Sequence, residues 1–364
     1  MNAAIVEELV AAGCELTIAC KPDAAPTILT SGKRIIPIAR WGKWSALRIL
    51  WSVWMLKPER VVILFDGGSY DQLPWVTLLP LLIRRLPKRP TVVSHLTNVT
   101  PVVFGRHLAR LFRMVGLSPS YGALALSDRL LFYCDAHRSG LESDARRMLP
   151  AAVTPVPAFL RLSRSDAQRA SAEELVVAFF GLIYPGKGVE KLVQAAALIR
   201  AEGRRVRLVL VGGVGSVSGN TEWRRQCVRY FESLKALVKT TGVACDWHSD
   251  LEETRLSEVL DQADVLCLPF DGGLQSNNSS FSNAVSSGIP IVSTRSKIPD
   301  AIIDGAGERL TLVDSNDPET LRIAISKELE RSTKLGRRRL DLIQWHQENF
   351  SMRCMISGLL ENVG

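Results

Sequence analysis

Six consecutive hydrogen-bonding side chains, Gln275–Ser280 (QSNNSS), stand between two apolar segments of the chain. The preceding run Val265–Phe270 is typical of a short strand buried in a parallel sheet. Apolar residues recur at helical spacing from Phe281 onward, so a helix should begin near Ser279 or Ser280. A Ser- and Asn-rich helix start at the carboxyl end of a strand gathers free N–H groups and hydroxyls, which bind anions and above all phosphates. An ordinary capped helix after a polar loop is the alternative that this segment alone leaves open.

A lysine in a glycine-rich loop is the second candidate for a binding group. Leu175–Phe180 has the pattern of an apolar strand, Gly181–Gly188 (GLIYPGKG) is rich in glycine, and a helical pattern follows from Val189. Lys187 stands just before that helix, where its ammonium could reach a ligand seated over the strand ends. A solvated loop lysine is the alternative. A second strand, Leu208–Val211, also ends in glycines, which is common in doubly wound folds.

Composition bounds the class of protein. The chain has 364 residues, enough for two domains, of which 46% are apolar and 23% charged, as in folded soluble proteins. No apolar run is long enough to predict a membrane span, and the amino terminus lacks the basic and apolar regions of a secretion signal. Seven cysteines are scattered without a C-x-x-C pair, and five histidines show no metal-like spacing. We therefore expect free thiols in a reducing cytosol, and neither a metal nor another cofactor.

Positive charge is concentrated in the first half of the chain. Residues 1–170 contain 22 Lys and Arg against 12 Asp and Glu, a net charge of +10, whereas the remainder has 23 against 25, a net charge of −2. Such asymmetry favours a first half that faces a polyanion, either a membrane surface or a nucleic acid. No recognised nucleic-acid-binding module accompanies the charge, so we expect no nucleic acid partner.

Short apolar runs alternate with helical patterns along the chain, which predicts parallel sheets covered by helices, in two doubly wound α/β domains. We expect an N-terminal Rossmann-like domain at 1–160, a polar linker at 161–174, a second Rossmann-like domain at 175–340, and a C-terminal helix at 341–364 that packs back toward the first domain. The expected strands are Leu16–Ala19, Val61–Phe65, Thr91–Ser94, Ala123–Leu126, Arg129–Cys134, Val153–Val156, Val176–Phe180, Val206–Val211, Ala244–His248, Val265–Phe270, Ile289–Ser293 and Thr311–Val313.

The order of elements at the amino terminus is unusual. An open parallel α/β domain normally starts with a strand, a glycine-containing turn and then a helix. Here a helical pattern at Ala3–Ala12 comes first, followed by Gly13 and a strand. We therefore expect that the N-terminal domain lacks its first strand, or that this strand lies upstream of the sequence.

Taken in order, four segments resemble those of the family 4 glycosyltransferases, retaining enzymes with two Rossmann-like domains in the GT-B arrangement. They span nearly the whole second domain and are FFGLIYPGKGVEKLVQAA from Phe179, LVLVGG from Leu208, LSEVLDQADVLCLPF from Leu256 and SNAVSSGIPIVST from Ser282. The first half is more loosely similar, for example at Ser94-His95-Leu96. The resemblance implies two domains facing across a cleft, with a nucleotide-diphosphate sugar held mainly by the second.

The resemblance also implies roles for individual residues. Lys187 matches the diphosphate-binding lysine of the family, whereas Leu182 replaces an arginine that the family often carries. Gln275 and Asn283 stand where the family has two glutamates, which contact the donor sugar and the ribose. As amides they can hydrogen-bond hydroxyl groups but carry no charge. His95 matches a histidine near the transferred sugar; a structural histidine at the end of the strand Thr91–Ser94 is the alternative.

The loop before Gln275 offers a carboxylate. Asp271, followed by two glycines, resembles a family variant that lacks the first glutamate, and it would supply the missing charge. Ser279 and Ser280, with nearby N–H groups, would then hold the β-phosphate. The expected catalytic residues are therefore His95, Lys187 and Asp271, without a metal. The expected donor-binding residues are Gly181, Lys187, Gly213, Gly272, Gly273, Gln275, Ser276, Asn277, Asn278, Ser279, Ser280 and Asn283.

Tryptophan and positive charge coincide in one segment of the first half. Residues 40–57 (RWGKWSALRILWSVWMLK) hold four of the eight tryptophans and four basic residues, and residues 84–89 (RRLPKR) add further charge. One interpretation is a surface that docks on an anionic cytoplasmic leaflet. The alternative is a core helix with buried tryptophans, and both hold if one face packs and the other meets lipid.

These observations predict a retaining glycosyltransferase of the hexosyltransferase type, cytoplasmic and peripheral on the inner face of the plasma membrane. It would move a sugar from a nucleotide-diphosphate donor to a lipid-linked saccharide in bacterial cell-surface polysaccharide synthesis. A catalytically impaired relative that binds a glycan or a partner is one alternative, favoured by Leu182 and by the amides at 275 and 283. A nucleotide-sugar epimerase is another, which would require catalytic carboxylates, with Asp271 as the conspicuous candidate.

Overall fold

The computed structural model consists of two compact units, and the chain visits the first of them twice. Unit 1 comprises Met1–Pro155 and Met352–Gly364, and unit 2 comprises Val156–Ser351. The residues that the structure describes are 2–20, 34–38, 40–66, 74–98, 106–115, 117–118, 121–145, 148–160, 162, 174–215, 221–335 and 340–361.

Unit 1 alternates helices with short strands. Its elements up to residue 155 are α1 (Asn2–Ala11), β1 (Thr17–Cys20), β2 (Arg34–Pro37), α2 (Lys43–Leu56), β3 (Arg60–Asp66), α3 (Leu79–Ile83), β4 (Thr91–Asn98), α4 (Arg106–Met114), β5 (Arg129–Phe132), α5 (Asp135–Ala145) and β6 (Ala151–Val153).

The strands of unit 1 form parallel sheets. Strands β3, β4, β5 and β6 lie side by side in that order, and β1 pairs with β2 in a separate two-stranded sheet. The inner strands β4 and β5 are largely buried on both faces, as expected of a parallel sheet covered on both sides. Phe65, Leu96 and Phe132 are fully buried in the core of this unit.

Unit 2 repeats the alternation more regularly. Its elements are β7 (Glu174–Phe180), α6 (Val189–Ala201), β8 (Arg205–Val211), α7 (Thr221–Thr241), β9 (Ala244–His248), α8 (Glu253–Asp261), β10 (Val265–Leu268), α9 (Ser279–Val285), β11 (Ile291–Thr294), α10 (Ala301–Asp304), β12 (Thr311–Val313), α11 (Pro318–Leu335) and α12 (Leu340–Phe350).

A six-stranded parallel sheet organises unit 2, in the order β12-β11-β10-β7-β8-β9. Every residue of β10 and β11 is buried, which explains the continuous apolar runs in the sequence. The mixed α/β class with parallel sheets, predicted from the alternation of strands and helices, is therefore confirmed.

Two predicted features of the first half and the terminus are wrong, and one strand was missed. The expected strand Ala123–Leu126 is a 3-10 turn over Leu124–Leu126, because a short buried apolar run fits either conformation. Strand β2 was not predicted. The single helix expected at 341–364 is two helices, α12 and α13 (Met352–Leu360), which separate at Ser351.

The observed division of the chain also differs in detail from the predicted boundaries. Unit 2 begins at Val156, before the expected linker, and it retains α12, while only the segment from Met352 returns to unit 1. Of the expected linker at 161–174, all residues except Leu162 and Glu174 lie outside the described part of the chain. Within that part, no helix is both long and apolar enough to cross a bilayer.

Candidate functional site

The sheet of unit 2 reverses its strand order between β7 and β10. From β7 the chain adds β8 and β9 on one side, and it then returns to add β10, β11 and β12 on the other. In open parallel α/β sheets, ligands bind outside the carboxyl ends of the strands at such a reversal. The loops that follow β7 and β10 border this position, and they contain Lys187, Asp271 and most of the predicted donor-binding residues.

Two glycines let these loops approach each other. Gly181 follows β7 with a φ of +136°, and a Cβ there would overlap the hydroxyl of Ser280 in the first turn of α9. Gly188 has a φ of +67°, and a Cβ there would overlap the carbonyl oxygen of Pro269. A side chain at either position would be strained and would push the loops apart. The structure thus places the predicted residues Gly181 and Ser280 in direct contact.

The amine of Lys187 is buried between two aromatic rings. Its Nζ lies 5.0 Å from the ring centre of Tyr184 and 4.3 Å from that of Phe270. The residue is only 9% exposed, and among the described residues no carboxylate forms an ion pair with it. Burial lowers the pKa of the amine to about 8. A cation held by ring faces rather than by an acid keeps its charge available for an anion.

The carboxylate of Asp271 is already bound by two side chains of unit 2. Lys191 Nζ donates to Oδ1 at 2.6 Å, and Asn316 Nδ2 donates to the same oxygen at 2.8 Å. Burial acts to raise the pKa of Asp271, but the hydrogen bonds from Lys191 and Asn316 and the charge of Lys191 lower it below its ordinary value. Asp271 is therefore ionised and fixed, and its role in catalysis stays a prediction.

Asn316, in the loop after β12, joins the loop after β10 to the first turn of helix α6 around that carboxylate. Besides Asp271, it donates to the carbonyl oxygen of Pro269 at 2.9 Å and accepts from Lys191 at 2.9 Å. Since Pro269 directly precedes Phe270, this network fixes the ring on which the Lys187 amine rests.

The polar run after Asp271 is ordered mainly by contacts within unit 2. Gln275 Nε2 donates to Ser296 Oγ at 3.2 Å. Ser276 is fully buried, and its N–H and hydroxyl donate to Asp300 Oδ2 at 2.7 and 2.8 Å. Ser276 is therefore a structural residue in this conformation, whereas Gln275 is half-buried.

The remaining predicted glycines differ in their surroundings. The carbonyl oxygen of Gly213 accepts from the N–H of Ile183 at 2.9 Å, which links the loops after β7 and β8. A Cβ at Gly213 or Gly272 would meet open space, whereas one at Gly273 would overlap the backbone of Ser296. Gly272 is exposed beside Asp271.

Helix α9 begins at Ser279, as the sequence predicts, and Asn278 is its N-cap. The side-chain oxygen of Asn278 accepts from the N–H of Phe281 at 3.0 Å. This is the usual arrangement of an Asn cap. Asn277 and Ser280 are half-buried and Ser279 is exposed, so the loop presents hydroxyl and amide groups at the carboxyl edge of the sheet.

Asn283, predicted to bind the donor, is held by hydrogen bonds within unit 2, and its role at the donor stays a prediction. The residue is 6% exposed, and its Oδ1 accepts from the N–H groups of Phe159 and Leu160 at 2.7 and 2.8 Å. Its Nδ2 donates to the carbonyl oxygen of Ser279 at 2.7 Å. The amide therefore connects α9 to the segment that enters unit 2, and in this conformation its oxygen is occupied by backbone groups.

His95 lies inside a strand rather than after it. Strand β4 continues to Asn98, and His95 pairs with Leu64 on β3 and Leu131 on β5. The imidazole is fully buried, with its ring edge-on to Tyr133 at 4.6 Å, and neither ring nitrogen has a hydrogen-bond partner. Burial lowers its pKa to about 3, so the ring is neutral. It belongs to unit 1, and its predicted role at the transferred sugar stays a prediction.

Sequence reasoning missed three residues that shape this site, namely Lys191, Asn316 and Asp300. Lys191 lies one helical turn beyond Lys187, and Asn316 follows the carboxyl end of β12 by three residues. A search for polar residues after every strand, rather than after β7 and β10 alone, would have found Asn316.

The parallel sheets covered by helices define a doubly wound type of α/β protein, and comparison with known proteins narrows the class. Residues 174–331 match the sequence model of the family described as Glycosyl transferases group 1, so this part of the chain is a group 1 glycosyltransferase domain. No curated protein sequence is significantly similar to the chain.

Solved structures extend the likeness to the whole chain. A glycosyltransferase from Rickettsia africae superposes with a TM-score of 0.67 and 11% identity, covering 98% of this chain and 91% of that one. The lipopolysaccharide outer core galactosyltransferase WaaB gives 0.62 and 13%, with coverages of 98% and 93%. HepE from Anabaena, in complex with UDP and glucose, gives 0.60 and 14%, with coverages of 92% and 86%. At such identities the likeness shows the fold, which is the GT-B fold of glycosyltransferases.

Proposed function

We propose that the protein is a retaining glycosyltransferase that takes a sugar from a nucleotide-diphosphate donor. The observation that carries the proposal is the buried amine of Lys187, held by Tyr184 and Phe270 without an acid at the strand-order reversal of unit 2. The group 1 domain match supports it. HepE, which has the same fold, was crystallised with UDP-glucose, and this supports a nucleoside diphosphate as the donor's leaving group.

Transfer with retention would proceed as follows at this site. The bond between the anomeric carbon and the diphosphate oxygen breaks, and its electron pair stays on the phosphate. Lys187 would stabilise that developing charge, because an ammonium in a dry site acts strongly on a nearby anion. The acceptor hydroxyl then attacks the same face of the sugar and gives its proton to the departing phosphate oxygen. Ser279, Ser280 and neighbouring N–H groups would hold the β-phosphate.

The acceptor belongs to the same proposal. We assign to it a saccharide, lipid-linked, in the assembly of a bacterial cell-surface polysaccharide on the cytoplasmic face of the membrane. Support comes from the net charge of +10 in residues 1–170 and from the fold shared with WaaB, a lipopolysaccharide core galactosyltransferase.

A second candidate function is glycan or partner binding without transfer. Three features favour it: the side-chain oxygen of Asn283 is occupied by backbone groups, the carboxylate of Asp271 is held by Lys191, and Leu182, 52% exposed, adds no charge. An enzyme with this site would depend strongly on the positive charge of Lys187 at the diphosphate, which makes that residue the one to test.

The two candidates are separated by measuring donor binding and turnover. Calorimetric titration of the intact protein with UDP and GDP should show binding. Hydrolysis assays with UDP-sugars and GDP-sugars should show slow turnover, and EDTA should reduce neither binding nor turnover. Lys187→Ala should lower kcat/KM by about a hundredfold or more, since removing a group that stabilises a developing anion has effects of that order. Lys235→Ala, which removes an exposed lysine of α7, is the matched control. An intact protein that neither binds nor hydrolyses any donor would rule out the transferase.

A further inference from the structure

Helix α2 of unit 1 is apolar on two opposite faces. Ala46 and Val53 are buried in the core of the unit, and Ile49 and Leu50 pack against it half-buried. This face accounts for the position of the helix in the fold. It does not explain the opposite face, which is rich in tryptophan, because a surface helix normally carries polar residues on the face that meets solvent.

The opposite face is a continuous stripe of large apolar side chains. The exposed fractions are 73% for Trp44, 49% for Leu47, 61% for Trp51, 45% for Trp54 and 56% for Met55. Their spacing of three, four and seven residues places them on one side of the helix. Contiguous exposed apolar surface of this kind marks an interaction site. The alternative in which the tryptophans of the helix lie in the core is therefore wrong; of the four tryptophans in residues 40–57, Trp41, before the helix, is the buried one.

Positive charge surrounds the stripe. Residues 40–58 contain no Asp or Glu, whereas Arg40, Lys43, Arg48 and Lys57 lie along them. Lys43 Nζ stands 5.3 Å from the ring centre of Trp44, and Arg48 donates to the carbonyl oxygen of Pro37 at 2.9 Å. By contrast, the basic segment 84–89 is partly neutralised, because its two outer arginines share a carboxylate, with Arg84 at 3.6 Å and Arg89 at 3.2 Å from Asp128.

A second copy of the chain would fit this surface poorly. A two-fold dimer through α2 would set the same patch against itself and bring the four basic residues of each copy together. Without acidic residues in the segment, that arrangement is repulsive. An anionic bilayer surface instead offers negative headgroups to the cations and an interfacial layer in which tryptophan rings are favoured.

We propose that the exposed face of α2, formed by Trp44, Leu47, Trp51, Trp54 and Met55, inserts into the interface of an anionic lipid bilayer. The helix has 14 residues and is about 21 Å long, too short to span a bilayer but suited to lie in its interface. The proposal deepens the proposed function by naming the surface on which the enzyme would work. It rests on the geometry of α2 and not on catalysis.

The test is co-sedimentation of the full chain with lipid vesicles, without donor or acceptor. A failure to bind membranes is then distinguished from a failure to transfer sugar. The intact protein should bind phosphatidylcholine vesicles containing phosphatidylglycerol, and bind far less to phosphatidylcholine alone. Trp44→Ser/Trp51→Ser/Trp54→Ser should lower the partition coefficient by on the order of a hundredfold. Arg40→Gln/Lys43→Gln/Lys57→Gln should lower the partition coefficient by a similar factor for anionic vesicles, and should leave it unchanged for phosphatidylcholine alone.

Matched substitutions in unit 2 control for general loss of surface residues. Ile298→Ser/Ile323→Ser removes two exposed apolar side chains, 48% and 51% exposed, and should leave vesicle binding unchanged. Far-ultraviolet circular dichroism checks that each variant is folded. Brominated lipids should quench the tryptophan fluorescence of the intact protein, and this quenching should be largely lost in the triple tryptophan variant. Absence of quenching, or a tryptophan variant that binds vesicles as well as the intact protein, overturns the proposal. A concentration-dependent dimer that the tryptophan substitutions dissociate, without vesicle binding, would assign the face to self-association instead.

Discussion

The protonation of one amine decides how well the candidate site attracts an anion. Burial lowers the pKa of Lys187 to about 8, from the ordinary value of 10.5, and only the rings of Tyr184 and Phe270 hold the charge in place. Below pH 8 the ammonium is present and a diphosphate gains its full attraction. Above pH 8 the free amine is neutral, so a binding diphosphate must first draw a proton onto it.

We therefore expect the affinity for UDP to fall by up to about tenfold per pH unit above a pH of about 8, and to be steady between about 7 and 8. Isothermal titration calorimetry measures this directly. Lys187→Arg should flatten the profile, because an arginine stays charged at these pH values, whereas Lys235→Ala should leave the slope in place. A wild-type affinity that is constant up to a pH of about 10 would contradict the assignment of Lys187 as the diphosphate-binding cation.

The same buried amine has a second consequence, for stability. The folded-state pKa lies below that of the exposed amine in the unfolded chain, so the unfolded chain binds more protons between about pH 8 and about pH 10.5. The contribution of Lys187 to the free energy of unfolding therefore rises with pH in that window and is unfavourable below it. A diphosphate bound at Lys187, as we propose, would offset this penalty and so stabilise the folded protein.

At the scale of elements, the side-chain amide of Asn283 on α9 holds the first segment of unit 2 by two hydrogen bonds, beside a third from the hydroxyl of Ser282 to the carbonyl oxygen of Pro157. Asn283→Ala would leave the N–H groups of Phe159 and Leu160 without their acceptor, at a cost of about 2–4 kcal/mol in the free energy of unfolding. Asn283→Asp keeps the acceptor and should lose less. Ser279→Ala, on an exposed position of the same helix, should change little. Urea unfolding measures all three, and an unchanged midpoint for Asn283→Ala would contradict the structural role.

The contacts of Asn283 also show where prediction from the sequence ends. Strand β10 and helix α9 could be predicted because their apolar spacing is local, and the glycines and Lys187 stand in the same short loops. The partners of Asn283 lie 124 and 123 residues away, and Asn316 meets Asp271 across 45 residues, so no spacing rule reveals them. Helix α2 was also predicted, but it has two apolar faces, and the sequence alone does not show which of them is buried.

At the scale of the whole molecule, the carboxyl-terminal helix completes unit 1 although it follows unit 2 in the chain. The side chain of Leu359 on α13 is fully buried, and its carbonyl oxygen accepts from Nη1 of Arg60, the first residue of β3, at 2.8 Å. Arg129, at the start of β5, pairs with Glu361 at 2.5 Å. In contrast, Leu342 on α12 is fully buried in the core of unit 2. Two fully buried leucines 17 residues apart thus belong to different units.

We expect Leu359→Ala to destabilise unit 1 by about 2–5 kcal/mol, as for a fully buried leucine, and Leu342→Ala to do the same to unit 2. Hydrogen exchange followed by mass spectrometry should show faster exchange in β3–β6 for the first variant and in β7–β12 for the second, because each unit has its own core. Ser357→Ala, exposed on α13, is the control and should leave both patterns unchanged. If Leu359→Ala instead accelerated exchange equally in both sheets, the units would unfold as one, and stability could not be assigned to separate cores.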